Sequence, residues 1–126
     1  MTLLIDTHVL IWWLTDPSRL PPACLDRLGS NEATILVSAV SAYEIEFKRD
    51  ADPLLQRLPA DLASAVFAEG FDWRAIDPED AVIAGRLPRH HRDPWDRLLI
   101  AQAIRGKCPI MTKDAAFANY DVERVW

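Results

Sequence analysis

Residues 3–10 read LLIDTHVL. The run that opens them, TLLI at residues 2–5, has the length and composition of a strand buried on both faces. Asp6 ends it, and the VLIWWL that follows at residues 9–14 offers that acid no opposite charge. A carboxylate sunk among apolar side chains is costly without a charged partner. The fold therefore turns on what else in the chain can meet Asp6.

Working outward, TILVS at residues 34–38 and PIMT at 109–112 repeat the short apolar run. Between these runs the apolar spacing predicts helices over 21–29, 41–51, 60–69, 78–87 and 94–106, several opened by proline or a capping residue. FDWRAI at 71–76 and the terminal VERVW alternate apolar with polar, as edge strands do. Strands alternating with helices imply right-handed βαβ units. The expected fold is an α/β three-layer sandwich: a mostly parallel central sheet between helices, one domain over residues 1–126. Functional groups in such sheets gather at the carboxyl ends of the strands.

Composition sets the outer bounds. A chain of 126 residues, half of them apolar and 26% charged, buries roughly two-thirds of its unfolded surface on folding. It has no low-complexity tract and no internal repeat. Its first segment lacks a basic flank and falls short of the roughly 20 apolar residues that span a bilayer, so neither signal peptide nor membrane helix is expected. Cys24 and Cys108 lack metal-ligand spacing, and as isolated thiols they suit a reducing cytoplasm. The net charge of −5 argues against a protein that coats nucleic acid. Its distribution is uneven, however: seven basic residues face two acids between Arg86 and Lys113. That asymmetry suggests one basic face on an acidic body.

Asp6 ends the first strand and Asp114 follows the IMT run, so both project from the same sheet edge. Two helices begin at that edge, each with an acid in its first turn. SAYE places Ser41 at an N-cap with Glu44 three residues on; DPWD places Asp93 at an N-cap, Pro94 first in the helix and Asp96 third. Taken singly, each acid has a structural use: Ser41 and Glu44 read as a capping box, and Asp93 and Asp114 as caps. Together, Asp6, Glu44, Asp96 and Asp114 have no evident Lys or Arg partners, and four such carboxylates repel unless a cation sits among them. Oxygen-only donors suit Mg²⁺ or Mn²⁺ rather than Zn²⁺. A site of that kind activates water against a phosphodiester, with the basic segment holding the phosphate backbone.

The blocks LLIDTHVLIWWL, VSAVSAYEIEFK, HHRDPWDRLLIAQA and MTKDAAFANYDVERVW, in that order, resemble the PIN-domain ribonucleases, and among them the VapC toxins of bacterial toxin–antitoxin modules. The resemblance implies a magnesium-dependent endoribonuclease that inhibits translation and growth. Asp6, Glu44, Asp96 and Asp114 are then its metal-binding and catalytic acids, and it would act as a cytoplasmic homodimer restrained by a VapB-type antitoxin. It selects Asp96 over Asp93 as the third acid, leaving Asp93 as cap and supporting group beside Thr112 and Thr7. Arg89, Arg92 and Arg97 are candidates for RNA phosphate contacts, and the adjacent His90 and His91 read as incidental surface residues. Tyr43 and Trp95 stand where relatives carry Trp and Phe, and KRDADPL replaces the usual glycine-containing continuation after the glutamate. VLIWWL, apolar all round, is expected to offer a self-association surface or a groove for a partner helix. Three alternatives compete. A haloacid-dehalogenase-type phosphotransferase wants an acid where His8 stands. A response-regulator receiver has its key acid on a middle strand. The third is a PIN fold serving as an inactive scaffold.

Overall fold

The computed structural model describes all 126 residues. Five strands, β1 (Thr2–Ile5), β2 (Thr34–Ser38), β3 (Asp72–Arg74), β4 (Ile110–Met111) and β5 (Arg124–Val125), form one sheet in the order β3-β2-β1-β4-β5. Every pairing is parallel, and β1 is central: Ile5 lies opposite Val37 on one side and Met111 on the other. The helices are α1 (Thr7–Thr15), α2 (Pro22–Gly29), α3 (Ala39–Lys48), α4 (Leu62–Ala68), α5 (Pro78–Arg86) and α6 (Pro94–Gly106). None is long and apolar enough to cross a membrane.

Alternation along β1 divides the core into two layers. Leu3 and Ile5 pack with Val9 and Leu10 of α1, Cys24 and Leu28 of α2 and Val66 of α4. Leu4 packs on the opposite face with Leu99, Ile100 and Ala103 of α6. Successive strand side chains point to opposite faces, so a run apolar at every position needs a helical layer on both sides. The chain steps from β1 through β2 to β3 on one side, then returns to lay β4 on the other side of β1. That reversal opens a crevice between the carboxyl ends of β1 and β4.

Four local expectations change. The helix expected at Ser41 begins at Ala39, because Ser38 has extended backbone angles and its hydroxyl accepts from Val40 N. Ser41 lies buried within α3, its hydroxyl 2.9 Å from that of Thr7, so the expected Ser41–Glu44 capping box does not form. Trp12 and Trp13 are half-buried, packed against Trp126 and Phe71 at ring separations of 6.1 and 6.0 Å, so α1 does not present the expected bare apolar surface. Two of the large exposed aromatics lie instead on α3, where Tyr43 and Phe47 stack 6.0 Å apart beside Trp95, and a third, Phe67, on α4. Finally, Arg105 is not part of a free basic face. It meets the fully buried Asp80 at 2.7 Å together with Arg74 at 2.8 Å. Hydrogen bonds from the Asp77 backbone, both arginines and Gln102 overcome the burial and hold the Asp80 carboxyl down at about 2.

Candidate active site

Asp6 directly follows β1 and is the N-cap of α1. Its Oδ1 accepts from Val9 N at 2.8 Å and its Oδ2 from Thr112 Oγ1 at 2.5 Å. Burial raises its pKa, and the two hydrogen bonds offset only part of that. Thr112, just past β4, also accepts from Asp114 N at 3.1 Å, so one hydroxyl links the acids that end the two central strands. Asp114 caps the short 3₁₀ turn Ala115–Asn119 through Ala116 N.

Asp93 is the cap of α6, its Oδ1 accepting from Trp95 N at 2.8 Å and Asp96 N at 3.3 Å. That cap aims Asp96 back at the crevice. Burial pushes Asp96 up to about 7, reinforced by the negative charges of Asp93, Asp6 and Glu44. Asp6, Asp96 and Asp114 share a cleft of about 300 Å³ with His8, Trp12 and Lys113. Glu44, also buried, lines an adjoining cleft of about 370 Å³ that shares His8 and Trp12. The structure thus brings three of the expected acids into one pocket and sets the fourth at its border. Glu44 differs in another respect: Lys48, one turn on, donates to it at 2.6 Å, a pairing that the sequence alone does not single out. Thr7 bonds to Ser41, not to any carboxylate.

The basic segment divides in two. Arg89 and Arg92 are exposed and line a cleft of about 700 Å³ beside the acids. Arg97 instead donates to the carbonyls of Ala84, Leu87, Pro88 and His91, at 2.7–3.0 Å. Its donors are spent on tying down the 84–91 segment, which replaces the expected phosphate contact with a structural one. His91, expected to be incidental, is part of the site: its Nε2 lies 3.0 Å from Asp96 Oδ2 and 2.9 Å from Asp114 Oδ2. Only its place two residues before the Asp93 cap hints at this in the sequence.

The donor set fits a hard divalent cation. Asp6 and Asp96 are largely buried carboxylates with no Lys or Arg in contact, and both are driven toward protonation. A cation held by oxygen donors relieves that repulsion.

A parallel α/β/α sandwich with three acids at the β1/β4 crevice defines the class, and the chain belongs to the PIN domain family, whose profile matches residues 3–123. Within that family it is similar to Ribonuclease VapC22 of Mycobacterium tuberculosis (strain ATCC 25618 / H37Rv), with 31% identity over 120 residues, 94% of this chain and 92% of that one. The same fold is seen in the crystal structure of VapBC2 from Rickettsia felis bound to a DNA fragment from their promoter (14% identity, TM-score 0.74, 99% of this chain and 98% of that one). It recurs in VapBC-5, a toxin–antitoxin system from Mycobacterium tuberculosis (21% identity, TM-score 0.64, 98% and 97%).

Proposed function

We propose that this chain is a VapC-type endoribonuclease, the toxin of a toxin–antitoxin pair, acting in the cytoplasm with Mg²⁺ or Mn²⁺ and inhibiting translation by cutting RNA. What carries the reading is the meeting of Asp6, Asp96 and Asp114 in one cleft with no Lys or Arg ion-paired to any of them, two of the three destabilised as anions. Its similarity to a VapC ribonuclease over nearly the whole chain supports the same reading.

Asp6, Asp96 and Asp114 would hold the cation, with Glu44 completing the set or orienting the attacking water. When bound, the cation supplies a lowered water pKa and stabilises negative charge on the phosphate and the leaving oxygen. The chain's own residues do the positioning. Thr112 fixes the Asp6 carboxylate against β4, Val9 N holds its other oxygen, and the Asp93 cap sets the approach of Asp96. Arg89 and Arg92 meet the backbone phosphates of a single-stranded or loop segment. Hydrolysis forms a bond from the water oxygen to phosphorus and releases the 3′ oxygen as a hydroxyl, leaving a 5′-phosphate.

Exposed Tyr43 and Phe47, with the half-buried Trp95 beside them, form the apolar surface best suited to a homodimer, and a VapB-type antitoxin would close over the acids. The test is cleavage of structured RNA with Mg²⁺. Wild type should cut and leave 5′-phosphates; Asp6→Ala should not. A wild type inert toward every RNA offered, with either metal, would favour an inactive scaffold.

A further inference from the structure

The imidazole of His91 is fixed from several sides. Its Nδ1 accepts from Asp93 N at 3.2 Å, its own backbone N donates to the Tyr120 hydroxyl at 2.7 Å, and its ring stands edge-on to Phe117 at 5.7 Å. Because Nδ1 accepts a hydrogen bond, the ring proton resides on Nε2. That N–H points between Asp96 and Asp114, within 3.0 Å of an oxygen from each. A metal ligand needs a lone pair on the coordinating nitrogen, and in this arrangement Nε2 has none to give.

We infer that His91 is the internal occupant of the metal site: its Nε2–H bridges Asp96 and Asp114 in the metal-free protein, and a divalent cation must displace it to take those oxygens. This rests on the metal-dependent reading proposed above. His91 stabilises the empty site by sharing one donor between two acids that otherwise repel, and it competes with the ion for the same lone pairs. The ring also lines, with Arg89 and Arg92, the cleft of about 700 Å³, which gives it space to turn into.

The experiment is a calorimetric titration of Mn²⁺ into the wild-type chain and into His91→Ala. Removing the competing donor should tighten Mn²⁺ binding by about tenfold or more, the worth of one hydrogen bond to a charged group. Equal or weaker binding in His91→Ala, with the wild type still binding, overturns this inference alone, since a ligand would be missed and a bystander would not matter. Absence of binding in both proteins overturns the metal reading as well. The wild type offers a second measurement that needs no variant, ¹⁵N NMR of the imidazole during a Mg²⁺ titration. The Nε2–H tautomer should be seen without metal and its carboxylate hydrogen bond should break when metal is added. A ring unchanged by saturating Mg²⁺, or one converted to the Nδ1–H tautomer, contradicts the assignment.

Discussion

Asp96 and Asp80 are two acids of one domain driven in opposite directions, and the difference lies in what surrounds them. Asp96 is pushed up to about 7 by burial and neighbouring negative charge. In the metal-free protein its charged form therefore opposes folding: stability is greatest while it is protonated, falls as pH rises from the ordinary 3.8 toward 7, and levels off above. Asp96→Asn should remove that slope, making the metal-free protein more stable than wild type at pH 8 while abolishing metal binding. Urea melts of both proteins at pH 5 and pH 8 with chelator check this. Asp80 has the reverse sign. Its carboxyl is held at about 2 by Arg74, Arg105 and backbone hydrogen bonds, so its contribution is complete above 3.8 and disappears as pH falls toward 2. Asp80→Ala removes the buried anion that Arg74 and Arg105 share, leaves Arg105 with Asp77 and Glu79, and should cost about 1–3 kcal/mol, read in the same melts at neutral pH.

Among the elements, α6 is the most legible in the sequence, because Asp-Pro marks a start that few other pairs do and the helix runs over the expected 94–106. Asp93→Ala should therefore cost about 1 kcal/mol and reduce activity only indirectly. The start of α3 is ambiguous in the sequence because Ser38 and Ser41 are both competent caps, and only the end of β2 decides between them. The two acids ending β1 and β4 are legible from strand position alone; their link through Thr112 is not, since it joins residues 106 apart in the chain. Arginine roles are equally hidden, because sequence shows a charge but not the carbonyls that take it up. Arg97→Ala should speed amide exchange across 84–91 by leaving four carbonyls without their donor. Arg89→Glu with Arg92→Glu should leave that exchange unchanged and weaken RNA binding. The same pair should flatten its salt dependence, by about 0.7 in logarithmic slope for each phosphate that the protein no longer neutralises.

At the scale of the whole molecule, a chain of net charge −5 meets a polyanion only where its surface is locally basic. Arg97 and Arg105 are taken up internally, so that surface is narrower than the sequence suggests. Its aromatic patch is the other unspent feature: Tyr43 is 60% and Phe47 68% exposed, on the helix that carries Glu44 and beside the start of α6 that carries Asp96. Phe47→Glu should convert a dimer to a monomer in light scattering, whereas a wild type already monomeric at high concentration would show that the patch is no dimer interface. Whether the Asp6 cluster is a metal site for RNA hydrolysis is decided by titrating Mg²⁺ or Mn²⁺ into wild type and Asp6→Ala by calorimetry and assaying RNA cleavage on the same samples. Binding and cleavage should vanish together in Asp6→Ala. A wild type that binds no divalent ion, or an Asp6→Ala protein that still cuts, would contradict that role.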